Sequence, residues 1–233
     1  MPRIKTEQAW LNSTTPSSLL LTLKGKRLAR QRRLFAVACC RRWLEEMRDP
    51  ESRRAVEVAE RYVDGLADRE ELETAYRAAQ EVAVRRLTAC QTATVPDGGR
   101  LWNEWRLARV AQIACAPSGT EDVASELLKR ATRLGREHQE RERMAQVSCI
   151  RDIFGNPFRP RPSVDGSRLC WNDGTIPKLA QTIYEERAFD RLPILADALE
   201  EAGCTEAAIL NHCRQPGMHV KGCWVVDMLL GKV

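Results

Sequence analysis

The chain has 233 residues, 43% of them hydrophobic and 30% charged, a balance that is typical of globular domains and excludes a disordered chain. Its nine cysteines are an odd number, which argues against a full disulfide framework. No apolar run reaches the roughly 20 residues that span a bilayer, and the N-terminus lacks the apolar segment of a signal peptide, so we expect a cytoplasmic protein that does not bind a membrane.

The first elements are predicted from helix-forming composition and from the placement of proline. Ala, Leu, Arg and Glu dominate between the loops, which favours helix over strand. We predict a short helix over residues 6–11, a helix that starts with Thr15 as its cap and Pro16 at its first position, and one long helix over residues 27–47. Pro50 then predicts the start of the next helix.

The middle of the chain contains three further helix patterns. Asp68 and Glu71 have the spacing of a capping box, which predicts a helix from there to about residue 93. The stretch "VPDGGR" ends this helix, and the next one carries Trp102 on its apolar side. Residues 121–154 follow as one more helix, which becomes very polar in its second half.

The composition changes at residues 155–175, where glycine and proline are frequent and predict a connecting loop. Four short helices are predicted after it, over residues 176–188, 193–202, 205–213 and 223–230. We therefore predict an all-α protein of eight to ten helices, with an irregular multi-helix bundle over residues 1–154 and a smaller, compact C-terminal helical lobe over residues 176–233.

Several long segments of this sequence are similar to segments found in one bacterial family. "RDIFGNPFRP", "WNDGT", "IYEERAFDRLPILADALEEAGC" and "HCRQPGMHVKGCWVVDMLLGK" lie towards the C-terminus, and "EQAWL" and "RRLFAVACCRRWL" lie near the N-terminus. Together they resemble a paralogous family of uncharacterised planctomycete proteins. The resemblance covers both ends of the chain and leaves about residues 67–146 unmatched. The resemblance implies that the chain is related to this family, but it implies no activity, cofactor, partner or functional residue.

A cluster of histidine and cysteine near the C-terminus is the candidate for a metal site. His212, Cys213, His219 and Cys223 are residue types that bind zinc, and Cys204 or a more distant cysteine could complete the set. However, the chain contains no C-x-x-C motif, and adjacent residues on a helix point about 100° apart. The alternative is that the cysteines are core residues and that the histidines cap or fill gaps beside the "QPGM" turn. On the sequence alone we favour this packing interpretation.

A basic segment near the N-terminus is the candidate for a nucleic-acid-binding surface, because clustered cationic side chains attract phosphate. The residues proposed to contact nucleic acid are Lys24, Lys26, Arg27, Arg30, Arg32, Arg33 and Arg41. Acidic residues follow immediately from Glu45 onward and could pair with these arginines instead. No helix-turn-helix, zinc-finger or RNA-recognition motif is present in the sequence.

The sequence lacks the motifs of the common catalytic sites, namely G-x-S-x-G, G-x-x-x-x-G-K, a dinucleotide-binding fingerprint and H-E-x-x-H. We therefore predict a non-enzymatic interaction or adaptor module that binds another protein through a helical surface. The alternative is a nucleic-acid-binding accessory protein that uses the basic segment. A third hypothesis is a zinc protein or zinc enzyme that uses the C-terminal histidine and cysteine cluster; we predict no other cofactor.

Overall fold

The fold is described from a computed structural model that covers residues 3–23, 28–92, 98–116 and 122–232. Within these ranges the chain forms thirteen α-helices and two short 3-10 helices, Leu44–Glu46 and Phe189–Arg191, and contains no β-strand. The all-α prediction is confirmed. The α-helices are α1 (Glu7–Asn12), α2 (Pro16–Thr22), α3 (Ala29–Arg41), α4 (Pro50–Val63), α5 (Arg69–Thr92), α6 (Gly98–Cys115), α7 (Asp122–Leu134), α8 (Arg136–Phe154), α9 (Gly166–Leu169), α10 (Trp171–Glu186), α11 (Leu192–Glu201), α12 (Ala207–Arg214) and α13 (Trp224–Leu229).

The chain divides into two compact units. The first comprises Met1–Lys5 and Asn12–Val147, and the second comprises Thr6–Leu11 and Ser148–Val233. The sequence-based division ended the first domain at residue 154, whereas these units divide within α8. The last two turns of α8 therefore belong to the smaller C-terminal unit. In the described residues, every helix is too short or too polar to cross a bilayer.

Helix α6 is the central element of the first unit, where it packs against α3, α4, α5 and α7. Its C-terminal half is apolar on most sides, and Leu107, Val110 and Ala114 are each at most 4% exposed. Helices α4 and α5 contribute small apolar residues from successive turns to this core. The bundle is therefore built around the buried C-terminal half of α6.

Two of the predicted long helices are interrupted in the structure. Residues 121–154 form two helices because Gly135 lies between them with a φ of +114°, a conformation that residues other than glycine rarely adopt. The helix predicted over residues 27–47 ends at Arg41 and continues only as the 3-10 turn Leu44–Glu46. The division at Gly135 and the short helix α9 each add an α-helix, and the thirteen α-helices of the described residues exceed the eight to ten expected.

The second unit has a core that is contributed mainly by α10, α11, α12 and α13. Ile183, Leu195, Ile209 and Val225 are completely buried in this core. A short connection of nine residues, 215–223, joins α12 to α13, and it contains Gly222 with a φ of +98°. This connection and the end of α8 carry the residues of the candidate site.

Candidate metal centre

Four ligand-type side chains converge within the second unit. Asp152 lies in the last turn of α8, His212 lies on α12, His219 lies in the connection that follows, and Cys223 immediately precedes α13. One ligand atom from each residue lies within 4.8 Å of every other. The site thus joins the end of α8 to one short segment, residues 212–223, that lies some sixty residues later in the sequence.

Asp152 is at the centre of this cluster. Its Oδ1 atom lies 3.1 Å from Nε2 of His212 and 2.6 Å from Nδ1 of His219. Its Oδ2 atom accepts a hydrogen bond of 2.8 Å from the backbone N–H of Val220. The Sγ atom of Cys223 lies 3.2 Å from the same Nε2 atom of His212. Donor and acceptor atoms of four side chains therefore surround one small volume.

The site is almost completely removed from water. Asp152 is 3% exposed, Cys223 is 0% exposed and His212 is 8% exposed, while the side chain of His219 is 7% exposed. An ionised carboxylate is costly to bury unless positive charge or several hydrogen bonds compensate it. The backbone N–H of Val220 and the ring nitrogens of His212 and His219 lie within hydrogen-bonding distance of the Asp152 carboxylate and compensate its burial, and a metal ion bound by the same groups would do so as well.

Local sequence explains how the ligands reach these positions. Helix α12 is short, and its buried side carries Ile209 and His212 towards the core. Pro216 follows the end of the helix, and the chain then turns back along α8, where the N–H of Val220 meets Asp152. Gly222 adopts a positive φ that directs Cys223 inward at the start of α13.

The second ring nitrogen of His212, Nδ1, is the outer nitrogen, because Nε2 faces Asp152 and Cys223, and it has two neighbours of its own. The indole Nε1 of Trp224 donates a hydrogen bond of 3.1 Å to Nδ1 of His212, and the side-chain nitrogen of Gln215 lies 3.3 Å from the same atom. The rings of His212 and Trp224 lie 5.1 Å apart at 55°, and the rings of the two histidines lie 5.0 Å apart at 80°. The His212 ring is thus held from both of its edges.

Electrostatics couple the groups of the site. Burial raises the pKa of Asp152, but the hydrogen bonds with His212 and His219 outweigh burial and hold that pKa below its ordinary value. Burial lowers the pKa of His219, whereas its hydrogen bond with Asp152 and the charge of that carboxylate raise it, with a net increase. Burial, and then the charge of Asp152, raises the pKa of the Cys223 thiol well above its ordinary value.

The geometry differs from that of a nucleophilic catalytic triad. In such a triad the nucleophile contacts one ring nitrogen of the histidine and the acid contacts the other. Here the Sγ of Cys223 and the Oδ1 of Asp152 both lie beside Nε2 of His212. The Cys223 thiol is also completely buried, which removes it from any substrate in solution. The atoms converge on a common point instead of forming a relay.

Two of the distances between ligand atoms are close to those of a tetrahedral zinc site. With Zn–N and Zn–O near 2.0 Å and Zn–S near 2.3 Å, neighbouring ligand atoms lie about 3.3 to 3.6 Å apart. The distances of 3.1 Å and 3.2 Å from Nε2 of His212 to Asp152 and Cys223 approach these values. The 2.6 Å contact between His219 and Asp152 would lengthen by about 0.7 Å around an ion of this size.

Three of the four residues predicted to bind a metal come together, and the fourth does not. His212, His219 and Cys223 belong to the cluster, but Cys213 is not part of it. Cys213 is 1% exposed and packs in the apolar core of the second unit, because neighbours on a helix point in different directions. Burial raises the pKa of its thiol to about 12.

Asp152 is the residue that the sequence analysis missed. It lies on α8 among the buried apolar residues Ile150, Ile153 and Phe154. A single acidic residue within the apolar end of a helix is a signal that could have identified a buried carboxylate. The sequence offers no indication, however, that residues some sixty positions later are its partners.

The basic residues predicted to contact nucleic acid are mostly engaged within the first unit. Arg33 is 8% exposed and donates hydrogen bonds of 2.7 Å and 2.9 Å to the carbonyl oxygens of Ala114 and Ala116. Arg41 donates a hydrogen bond of 3.0 Å from Nε to the carboxylate of Glu60. These two guanidinium groups therefore hold helices together.

The remaining members of this basic set divide into described and undescribed residues. Arg30 lies 3.6 Å from an aspartate carboxylate, and Arg32 donates a hydrogen bond of 2.7 Å to a backbone carbonyl. Lys24, Lys26 and Arg27 lie outside the described residues. Binding of nucleic acid through this segment stays a prediction.

Comparisons of the chain with protein-family models, with curated proteins and with solved structures found no match. A function is therefore inferred from the chemistry of the residues that this chain brings together. The cluster around Asp152 is the arrangement with the most defined chemistry, because carboxylate, imidazole and thiol groups share one buried volume.

Proposed function

We propose that this chain is a zinc-binding protein whose C-terminal unit holds one ion between Asp152, His212, His219 and Cys223. One observation carries the proposal: four groups that bind zinc as a set have ligand atoms within 4.8 Å of one another, and they lie in a buried site. The packing interpretation that the sequence favoured accounts for buried cysteines, but it does not account for a buried carboxylate at the centre of the cluster.

The short contact between His219 and Asp152 can be made with a proton or with a metal ion. Nδ1 of His219 lies 2.6 Å from Oδ1 of Asp152, and an ionised carboxylate can only accept, so without a metal this contact requires a proton on Nδ1. Nε2 of the same ring lies 3.5 Å from the carbonyl oxygen of Gln215. A zinc ion would take the place of the proton on Nδ1 and would also use the thiol, which a proton on His219 does not.

The donor set favours zinc over magnesium and calcium. Thiolate and imidazole are poor ligands for magnesium and calcium, which prefer oxygen. Two nitrogens, one sulfur and one carboxylate oxygen match the ligands of four-coordinate zinc. The site therefore fits zinc by ligand type as well as by size.

The role that best fits this arrangement is structural. Catalytic zinc sites keep one position open for water or substrate, whereas structural sites are closed by four protein ligands. The four ligands here are buried and come from α8, α12 and the connection before α13. A bound ion would join these segments and stabilise the second unit, because the unfolded chain lacks the assembled site.

The first experiment measures the zinc-to-protein ratio of material purified without chelator. We expect one zinc per chain in the wild type, and loss of zinc in the His219→Ala and Cys223→Ser variants. Matched controls are His138→Ala and Cys170→Ser, which alter an exposed histidine and an exposed cysteine outside the cluster and should retain zinc. Folded wild-type protein that contains no metal and does not bind added zinc would contradict the proposal.

The wider biological role stays a prediction from the sequence. An interaction or adaptor module that binds another protein, and a nucleic-acid-binding accessory protein, are both compatible with a zinc-stabilised helical unit. We propose the interaction module as the context in which the zinc site acts, since a closed structural zinc supports a binding surface by making its scaffold rigid. Co-purification of a specific protein partner with the wild type, and its loss with Cys223→Ser, would be the expected result.

A further inference from the structure

Nδ1 of His212 lies between the indole of Trp224, which can only donate a hydrogen bond, and the carboxamide of Gln215, which can donate or accept one. Trp224 presents its indole N–H to Nδ1 at 3.1 Å, and an indole nitrogen can only donate. Gln215 presents its side-chain nitrogen to the same atom at 3.3 Å. An imidazole nitrogen has one lone pair in the ring plane, so two N–H groups directed at Nδ1 compete for a single acceptor.

A metal ion at the inner nitrogen changes what Nδ1 requires. Zinc takes the lone pair of Nε2, and the neutral imidazole then carries its proton on Nδ1. That N–H would face the indole N–H of Trp224, which is a contact between two donors. The proton on Nδ1 needs an acceptor, as the outer nitrogen of a metal-bound histidine usually has.

Gln215 can supply this acceptor without any movement of the backbone. A carboxamide that rotates by 180° about its terminal bond exchanges its nitrogen for its oxygen at nearly the same position. The Oε1 atom would then lie where the nitrogen is now, 3.3 Å from Nδ1. The side chain of Gln215 is on the surface, so the displaced NH₂ group can be hydrated.

We propose that Gln215 is a positioning residue of the zinc site, which accepts a hydrogen bond from Nδ1 of His212 when zinc is bound, in place of the bond that Trp224 donates there without zinc. This inference rests on the proposed zinc site. In the metal-free protein Trp224 keeps the proton of His212 on Nε2, where it faces Asp152. In the zinc-bound protein the ion takes the lone pair of Nε2, and the proton on Nδ1 is donated to Oε1 of Gln215.

Two variants of Gln215 separate an acceptor from a space-filling side chain. Gln215→Leu removes the acceptor, and we expect zinc affinity to fall by about 10- to 100-fold, the usual effect of losing the outer partner of a metal-bound histidine. Gln215→Glu retains an acceptor and should bind zinc at least as tightly as the wild type. Gln91→Leu, a change at an exposed glutamine of α5, is the control and should leave affinity unchanged.

The position of the proton on the His212 ring can be measured directly by NMR. Long-range ¹H–¹⁵N correlation spectra of ¹⁵N-histidine-labelled full-length protein should place the proton on Nε2 without zinc and on Nδ1 with zinc. The indole N–H resonance of Trp224 should shift at the same time, because its acceptor is lost. Zinc at Nε2 moves the proton to Nδ1 whatever residue 215 is, so these signatures test whether His212 is a ligand, and the comparison of Gln215→Leu with Gln215→Glu tests the role of Gln215.

The outcomes distinguish this inference from the proposed function. If the wild type binds one zinc and Gln215→Leu binds it as tightly, the role of Gln215 is overturned and the zinc site stands. If Nδ1 of His212 stays without a proton in the zinc-bound wild type, Nε2 of His212 is not a ligand, and this inference is overturned together with the proposed ligand set. If the wild type binds no zinc, the proposed function and this inference are both overturned. A shifted tautomer together with weak binding by Gln215→Leu and normal binding by Gln215→Glu supports the inference.

Discussion

Helix α8 carries two buried carboxylates, and they differ in their partners. Glu142, in the first unit, is 1% exposed and lies 3.4 Å from the guanidinium of Arg42. It also accepts hydrogen bonds of 3.0 Å from Trp43 Nε1 and 2.8 Å from Gln146 Nε2. Asp152, in the second unit, is buried to a similar degree but faces two imidazoles and a thiol.

The difference shows which buried carboxylate has partners that can give up a proton to a metal ion. Arginine stays protonated in proteins, so its charge compensates Glu142 permanently and its fork occupies the surrounding space. Imidazole and thiol groups change protonation near neutral pH or release a proton to a metal. The partners of Asp152 can therefore exchange protons for zinc, whereas those of Glu142 cannot.

The largest expected effect is that of zinc on the second unit. At free zinc about 1,000-fold above the dissociation constant, the free energy of unfolding should exceed that of chelator-treated protein by about 4 kcal/mol, because only the folded chain contains the assembled site. Urea unfolding followed by circular dichroism measures this difference. Cys223→Ser should lose the response to zinc, and equal stability of the wild type with zinc and with chelator would remove the contrast between the two carboxylates.

The next effect concerns the arginine-paired carboxylate. Arg42→Met leaves Glu142 buried without its cation, and we expect a loss of about 3 kcal/mol in the free energy of unfolding. The zinc content should not change. Arg141→Met removes an exposed arginine that pairs with Glu137 four residues earlier, and this control should cost at most about 0.5 kcal/mol. A zinc content that fell in Arg42→Met would show that the two sites are not independent.

A third change compares the carboxylates by removing their charge alone. Asp152→Asn keeps the shape of the side chain but weakens a metal ligand, and we expect zinc affinity to fall by about 100-fold, equivalent to about 2.7 kcal/mol. Glu142→Gln should leave zinc affinity within experimental error of the wild type. Isothermal titration calorimetry of both variants measures these values. Equal zinc affinity in the two variants would refute the different roles assigned to the two carboxylates.

The smallest effect is the dependence of zinc binding on pH. Burial raises the pKa of Cys223 well above its ordinary value, so the metal-free thiol is protonated at pH 7 and must release its proton when it binds zinc. If zinc binding releases one proton, the association constant for zinc falls tenfold, or by about 1.4 kcal/mol, for every unit by which the pH falls. The raised pKa of His219 acts in the same direction. Binding constants determined from pH 6 to pH 8 should show this slope, and a flat profile would mean that Cys223 is not a ligand.

Several helix boundaries were predictable because they depend on local chemistry. Helices α2 and α4 begin at Pro16 and Pro50, where the missing N–H is not needed. The backbone N–H of Glu71 donates to the side chain of Asp68, as the capping spacing predicted. Interruptions such as that at Gly135 were less predictable, because a glycine in a helical pattern can either continue or end the helix.

Function was harder to predict, since it depends on partners that are distant in sequence. The role of a single charged residue is equally dependent on such partners: Asp49 precedes Pro50, where aspartate commonly caps a helix, but its side chain pairs with Arg86 at 3.1 Å instead. Arg33 looked like part of a surface for phosphate, yet the fold buries it against backbone carbonyls. The local sequence around a charged residue can be the same whether its side chain is exposed or buried in a contact. Only the residues that surround it in the folded chain distinguish the two cases.

The sequence by itself determined the all-α class and placed His212, His219 and Cys223 in one short segment, because helix formation and turn chemistry act over a few residues. Only the tertiary structure decided that Cys213 packs in the core and that Asp152 completes the cluster. The physical reason is that a carboxylate some sixty residues from His212 meets it only when α8 and α12 pack together, and packing depends on all the residues of the core at once.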